Sequence, residues 1–392
     1  MTEESAKPPL ILHIASEYAY PDRPPPTTQA VKRLIDRMTD HPQIVITLMR
    51  DSNPFKTDWR DLGSNDGRRT IVYTYFAPRW GIGMFACQWV VARRIGRFLK
   101  SEGHRPDIVH AHRFTFEGIS AWMLARQLKA RLFFSIRGEV ESKVFRAKPT
   151  YRWLFRKMAA DADRIYYVSA WFRRRFETYT GADPGRTRLL PNFVFNARRT
   201  IPAGTYQNRI ISPVSLRAID RKGLPELMAA FSKVAPSLDG ITLEVIGEGP
   251  PEAYERMRAL INKHDLADRV VLRPPMENAA LLEYMTQSLA VAMPSHNETF
   301  GMVYPEALFA GTPILYSKGT GIDGYLDGLK VGVAVEPGDV AEIAEGLSLL
   351  VRDNQRFRAE IRTNAPSLYE RFSPSGIEAR YRADIEEVIG TD

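Results

Sequence analysis

Residues 294–307 read Pro-Ser-His-Asn-Glu-Thr-Phe-Gly-Met-Val-Tyr-Pro-Glu-Ala, and this order sets two carboxylates, Glu298 and Glu306, eight positions apart. An apolar run precedes the stretch and helical spacing follows it, so Glu298 falls in a loop and Glu306 in the first turns of a helix. Gly301, beside the helix start, lets a ligand approach the backbone closely. The helix amino terminus offers unpaired N–H groups and a positive partial charge to a phosphate. A carboxylate accepts two hydroxyl hydrogens, which suits a sugar or ribose diol. The chemistry is that of a site for a phosphorylated, hydroxyl-rich ligand. Taken singly, Glu298 is equally readable as a helix cap and Glu306 as a solvated helix residue.

The elements that must hold this stretch alternate strand and helix in two blocks. In the first, apolar runs at 10–15, 44–49, 71–76, 107–112, 132–136, 164–169 and 188–190 read as strands, with helical spacing at 29–39, 80–100 and 119–128. Periodicity lapses from 192 to 208, and a second series follows with strands near 212–216, 242–246, 270–272, 290–293 and 313–316. Two doubly wound α/β domains are expected: residues 1–195, a linker at 196–208, a second domain at 209–372, and a carboxy-terminal helix at 373–392 packing back toward the first. Ligands of such sheets bind beyond the carboxyl ends of the strands.

Length and composition agree. The 392 residues are 44% hydrophobic and 26% charged, enough for a sizeable core in each of two domains. Cys87 is the single cysteine, which excludes an intramolecular disulfide framework and a Cys-rich zinc site. No apolar run reaches the ~20 residues that span a bilayer, and residues 1–9 lack a secretion-type apolar core. The expected location is cytoplasmic, with a peripheral position on the inner face of the cytoplasmic membrane as its extension. The formal charge of +8 hides an asymmetry: residues 1–200 carry 35 Lys/Arg against 19 Asp/Glu, and residues 201–392 carry 19 against 27. The basic half suggests an anionic partner on that side.

Several motifs resemble, in order and spacing, those of the retaining glycosyltransferases of family 4, which have the GT-B fold of two Rossmann-like domains facing a deep cleft. The pair Glu298 and Glu306 matches the family's glutamate-x-seven-glutamate signature. Leu216-Arg217 with Lys222-Gly223 matches its Arg-Leu and Lys-Gly element, and residues 245–250, Val-Ile-Gly-Glu-Gly-Pro, match its Val-Gly-Asp-Gly-Pro turn. Asp107-Ile108-Val109-His110-Ala111-His112 is similar to its Pro-Asp-Ile-Val-His-Ala-His strand.

The resemblance implies a donor-binding second domain. Arg217 and Lys222 would hold the diphosphate of a UDP- or GDP-linked sugar, a role that fixed cations suit independently. Glu306 would take the ribose hydroxyls, Glu298 the donor sugar, and the backbone amides of Phe300, Gly301, Met302 and Val303 the sugar and phosphates. Base selection falls near residues 273–276. His112 would lie by the donor sugar and the acceptor, its imidazole able to orient a hydroxyl or share its proton. Strand alternation is read as making His110, rather than His112, the core histidine.

Three departures fall in the acceptor half. Pro24-Pro25-Pro26-Thr27-Thr28-Gln29 stands where the family has a Gly-Gly loop, so the hydroxyls of Thr27 and Thr28 are candidates for phosphate contacts. The strand at 132–136 ends in Arg137-Gly138 instead of a histidine followed by Gly or Asp, and a guanidinium there suits an anionic acceptor or sugar acid. The hinge reads Asn192-Phe193-Val194-Phe195 in place of Asn-Gly-Val-Asp. Asp161-Ala162-Asp163 has the look of a metal-binding Asp-x-Asp, but its place between a helix and a strand marks it as a helix end, and the His/Asp/Glu spacings offer no metal cage.

The expected function is therefore transfer of a sugar, with retention and without metal or cofactor, from a nucleoside-diphosphate sugar to a saccharide or lipid-linked saccharide, in cell-surface polysaccharide or glycolipid synthesis. The alternative is a non-catalytic nucleotide- or anion-binding protein docking on membrane through its basic half. Residues 80–100 bear on it: Trp80, Phe85 and Trp89 precede Arg93, Arg94, Arg97 and Lys100, a pattern that suits either a membrane interface or, slightly better, a core helix with a basic carboxyl end. A dinucleotide-dependent oxidoreductase is disfavoured because no G-x-G-x-x-G follows the first strand. Nucleic acid is not expected as a partner, since the cations match no recognisable binding module.

Overall fold

The computed structural model describes residues 7–20, 23, 29–201 and 203–390. The chain forms two compact units. The first contains the chain up to Val168, Arg173–Leu190 and the chain from Glu378 on; the second contains Ser169–Phe172 and Pro191–Ile377. The stretch 196–208, expected as a linker, thus lies within the second unit, with Ile201 buried.

The first unit is built on an eight-stranded sheet: β1 (Ile11–Ala15), β2 (Gln43–Asp51), β3 (Asp58–Asn65), β4 (Arg68–Phe76), β5 (Ile108–Ala111), β6 (Arg131–Ile136), β7 (Arg164–Tyr167) and β8 (Thr187–Leu189). Its order is β3-β4-β2-β1-β5-β6-β7-β8, all parallel except the β3–β4 hairpin at one edge. The second unit holds β9 (Gln207–Pro213), β10 (Thr242–Ile246), β11 (Val270–Arg273), β12 (Ser288–Met293), β13 (Ile314–Ser317) and β14 (Gly332–Val335), in the parallel order β11-β10-β9-β12-β13-β14. The central strands β1 and β12 are buried at every position and apolar but for His13 and Ser288, as helices on both faces of a parallel sheet require.

Both sheets reverse direction at one place, between β1 and β5 in the first and between β9 and β12 in the second. Loops at the carboxyl ends there form the crevices in which open α/β sheets hold ligands. Local signals fix the flanking helices. Asp339 caps the helix Val340–Arg352 by accepting from the backbone N–H of Ala341 and Glu342 at 2.9 and 3.0 Å.

The helix Pro374–Ile389 brings Tyr381, Asp384 and Glu387 to the first unit. Tyr381 is buried, and its hydroxyl lies 2.7 Å from His110 Nδ1. The buried Arg164 guanidinium bonds Asp384 at 2.9 Å and Glu387 at 2.5 Å. Among the described residues, no helix is long and apolar enough to cross a membrane.

Candidate functional site

A cavity of about 450 Å³ opens at the carboxyl ends of β9, β10 and β12 in the second unit. Lys222, Gly247, Met276, Glu298, Gly301, Met302 and Val303 are among the residues that line it. The floor is backbone, and glycine makes that possible. Gly223 has φ +68°, and a Cβ there would sit 2.0 Å from the carbonyl oxygen of Pro294. Gly301 has φ +76°, and a Cβ there would sit 2.4 Å from the Tyr304 ring. Tyr304 cannot withdraw, because it is buried and its hydroxyl donates to the Met293 carbonyl at 2.7 Å. Gly301 therefore lines the cavity with no side chain of its own, just ahead of the helix Val303–Phe309.

The charge of the cavity is organised by one ion pair. Lys222 Nζ donates to Glu298 Oε2 and lies 3.9 Å from Met293 Sδ, with the two charged side chains only 14% and 15% exposed. Thr320 Oγ1 takes the Glu298 backbone N–H at 2.6 Å, and the Gly321 N–H donates to the Glu298 carbonyl at 2.8 Å, which fixes the loop. The ammonium can meet an anion, and the carboxylate can accept from hydroxyls.

Not every expected donor residue reaches this wall. Arg217 is exposed on the short turn Leu216–Ala218, and neither it nor the half-buried Glu306 lines the cavity. The Glu306 carbonyl accepts from Asn196 Nδ2 at 3.0 Å. The Phe300 ring is core, edge-on to Tyr325 at 5.6 Å, so only its backbone can serve a ligand. Of the segment expected near a base, Met276 and Pro275 line the cavity, while Arg273 is held by Glu244 at 3.1 Å.

In the first unit, the ends of β1, β5 and β6 bring together His13, His112 and Arg137. His110 and His112 are two apart and share a face, with rings stacked at 4.2 Å, and both are buried. Alternation places residues i and i+2 together, so it does not separate His110 from His112; their hydrogen-bond partners do. His110 is satisfied by Tyr381 and by Ser135 Oγ at 2.9 Å. His112 Nε2 lies 3.1 Å from His13 Nδ1, and its Nδ1 is buried without a hydrogen-bond partner. Arg137, also buried, donates from Nε to the His112 carbonyl at 3.3 Å, and Gly138 precedes the helix Glu139–Ala147 with φ +79°. Thr27 and Thr28 lie outside the described residues.

Burial depresses all three imidazoles, His13 to about 3, and His110 and His112 well below the ordinary range with one another and Arg137 as further causes. Their nitrogens lie within 4.8 Å of one another, close enough for a shared cation. The donor set suits neutral hydrogen-bonded rings better: His110 has both nitrogens engaged, its ring stacks on His112, and a guanidinium stands beside them. Asp161 and Asp163 serve structure separately, the first accepting from Trp122 Nε1 at 2.8 Å and the second from the Leu132 N–H at 2.8 Å.

A second cavity, about 310 Å³, lies in the first unit and was not anticipated. Arg23, Arg50, Arg113, Glu17, Glu117 and Tyr75 help to line it. Glu117 is fully buried, which pushes its carboxyl up to about 7. Its Oε2 accepts from the Ser16 N–H at 3.1 Å, and its Oε1 has no hydrogen-bond partner. The available signal was the placement of Ser16-Glu17 and Arg113 directly after apolar strands.

Comparison with known proteins bears on both units. The family described as glycosyl transferases group 1 matches residues 201–368, and the glycosyl transferase 4-like domain matches residues 27–192. The chain is 26% identical over 312 residues to a D-inositol 3-phosphate glycosyltransferase of Xylanimonas cellulosilytica, covering 70% of this chain and 71% of that one. It is 25% identical over 223 residues to a GDP-mannose-dependent alpha-(1-6)-phosphatidylinositol monomannoside mannosyltransferase of Mycobacterium tuberculosis, covering 53% and 57%. Among solved structures, sucrose-phosphate synthase of Thermosynechococcus elongatus superposes with a TM-score of 0.71 at 18% identity, covering 98% of this chain and all of that one.

Proposed function

The chain belongs to glycosyltransferase family 4, with the paired Rossmann-like domains of the GT-B fold, and from that premise we propose a retaining transfer of a sugar from a UDP- or GDP-linked donor. The acceptor in this reading is a saccharide or lipid-linked saccharide, and the role is in cell-surface polysaccharide or glycolipid synthesis. The observation that carries it is the second unit's cavity, whose wall brings the Lys222–Glu298 pair together with Gly301, Met302 and Val303 at the start of a helix. An ammonium and backbone N–H groups suit a diphosphate, and the carboxylate suits sugar hydroxyls. The two family relatives support the substrate classes, since one is named for an inositol phosphate and the other for GDP-mannose and a phosphatidylinositol glycoside.

In this mechanism the acceptor hydroxyl attacks the anomeric carbon on the face from which the nucleoside diphosphate leaves, the bond to the diphosphate oxygen breaking as the new one forms and that oxygen taking the hydroxyl proton. Lys222, with Arg217 from the neighbouring turn, balances the charge that develops on the departing diphosphate, as does the helix start at Met302 and Val303. Glu298 binds the donor sugar and Glu306 the ribose. His112, neutral at physiological pH, orients a hydroxyl, and Arg137 stands behind it. Fixed cations supply the leaving-group stabilisation, so no metal is required. A lipid-linked acceptor would place the enzyme at the inner face of the cytoplasmic membrane.

Thermal unfolding with UDP, GDP, ADP and NAD, each with and without EDTA, tests the reading. A ligand at ~100 times its dissociation constant adds ~2.7 kcal/mol to the native state. A shift with one nucleoside diphosphate, insensitive to EDTA, is expected and identifies the base. A shift with NAD alone, or none at millimolar diphosphate, removes the assignment of Lys222, Arg217 and Glu306.

A further inference from the structure

The helix Met84–Ser101 is amphipathic in an unusual sense. Its inner face, with Val91, Ile95 and Leu99, is buried. Its outer face is apolar in the first turns, where Phe85, Trp89 and Val90 are exposed, and cationic in the last, with Arg93, Arg94, Arg97 and Lys100. The turn leading into it exposes Trp80 to 86% and Ile82 to 62%. Trp80 is held outward in a left-handed backbone conformation, φ +62°, which is uncommon for a bulky residue.

A second element continues this surface. The Phe85 N–H donates to the Tyr151 hydroxyl at 3.3 Å, and a Cβ on Gly81 would lie 3.5 Å from Lys148 Cε. Just beyond, on the helix Arg152–Ala160, Trp153 is 63% exposed. Six of the eleven large apolar side chains that are exposed among the described residues, Trp80, Ile82, Phe85, Trp89, Val90 and Trp153, belong to these two adjoining segments. Isolated exposed apolar residues need no explanation, but a cluster does.

The two segments themselves carry charge of one sign. Residues 79–100 contain five Lys/Arg and residues 142–160 contain six, and neither segment contains an Asp or Glu. The Arg93 guanidinium lies over the Trp89 ring at 4.6 Å, so cation and indole are presented together. Tryptophans at the depth of lipid headgroups, flanked by cations that meet lipid phosphates, are what an anionic bilayer surface recognises. An acidic protein partner would place carboxylates against the cations, but it would not call for three exposed indoles.

We propose that the turn and helix at 79–100, together with the segment 148–157, form one docking surface that seats the first unit on an anionic phospholipid bilayer. Trp80, Trp89 and Trp153 enter the headgroup region, and Arg93, Arg97 and Arg156 stay at the phosphates. The inference stands on this surface alone and does not depend on the transfer reaction.

The full chain is sedimented with vesicles of phosphatidylcholine alone and of phosphatidylcholine with an equal part of phosphatidylglycerol, at low and high salt. Binding to the anionic vesicles only, weakened by salt, is expected, with a blue shift of tryptophan emission. The triple variant Trp80→Asn/Trp89→Ser/Trp153→Ser should lose at least tenfold in vesicle affinity, as should Arg93→Gln/Arg97→Gln/Arg156→Gln, with far-UV dichroism unchanged. Failure of the wild-type chain to bind, equal binding to neutral vesicles, or retention of binding by either variant would overturn the proposal. So would a dimer of the wild-type chain that the tryptophan variant dissolves, since the face would then join two copies. The nucleotide-dependent thermal shift, measured on the same samples, reports separately on the donor site. Vesicle binding without that shift leaves the docking surface standing and removes the reaction.

Discussion

His13 Nδ1 and His112 Nε2, both buried, face each other at 3.1 Å, so a single proton lies between the two rings. Which nitrogen carries it decides whether His112 Nδ1 offers a proton or a lone pair. His13 is thus a positioning residue for His112.

The pair predicts an acid-sensitive fold. Both folded-state values lie below the ordinary value of 6.5, His13 at about 3. Between these limits the unfolded chain binds protons that the native chain does not, so stability is lost as pH falls from about 6.5. Each such histidine contributes a slope of ~1.4 kcal/mol per pH unit. His13→Asn should reduce that slope by one histidine's share in denaturant titrations at pH 7, 6 and 5. Its transfer rate should also change its pH profile, whereas a purely structural role would leave the profile in place.

Glu117 acts in the opposite sense. Its carboxyl is raised to about 7 from 4.5, so the stability it supports is fully present below pH 4.5 and lost as pH rises through 7. Glu117→Gln removes a buried charge at high pH. The variant should gain on the order of 2–3 kcal/mol relative to the wild-type chain at pH 8, and little at pH 5, by chemical denaturation. An equal effect at both pH values would show that the carboxyl ionises freely in the native chain.

Lys222→Met removes the ammonium that holds Glu298 and faces the cavity. Turnover of the nucleotide sugar should fall ~100–1000-fold, the usual effect of deleting one preorganised stabilising group. The thermal shift with the preferred diphosphate should shrink as well. Loss of the shift with turnover intact would mean that the cation serves binding alone.

Gly301→Ala has a steric outcome that can be stated in advance. The added carbon would stand 2.4 Å from the Tyr304 ring, at a φ of +76° that L side chains rarely adopt. The loop must move, at a cost of ~1–3 kcal/mol, and its peptide groups leave the cavity wall. Activity should drop more than tenfold while circular dichroism shows the fold retained. Wild-type activity in this variant would separate the loop from the donor site.

Much of this architecture is legible in the sequence, because buried parallel strands such as β1 and β12 are nearly continuous apolar runs and the helices between them have their own period. The hairpin strand β3 is not. Its residues, Asp-Trp-Arg-Asp-Leu-Gly-Ser-Asn, are nearly all exposed and carry no alternating apolar face. The one trace it leaves is the turn Asp66-Gly67, both at positive φ, which joins it to β4. Nor are the helices Glu139–Ala147 and Arg173–Thr180 apparent, since most of their faces are charged and solvated. At the candidate site, Lys222, Glu298 and Gly301 line one cavity, a grouping that the resemblance to family motifs, rather than their spacing, pointed to. The meeting of His13 with His112 depends on the pairing of β1 with β5, a register set by the whole sheet rather than by either segment.

The return of the chain from Glu378 into the first unit has a bearing on biogenesis. Domains usually mature in the order of synthesis, amino-terminal first. Here the second unit is almost continuous, whereas the first lacks Tyr381, one of the two partners of His110, and the carboxylates that pair with Arg164 until the closing helix emerges. The first unit therefore cannot be sealed until nearly all of the second has been synthesised. Synthesis that stopped before residue 378 would leave the buried Arg164 without Asp384 and Glu387, and the first unit's sheet open on the face that Tyr381 covers.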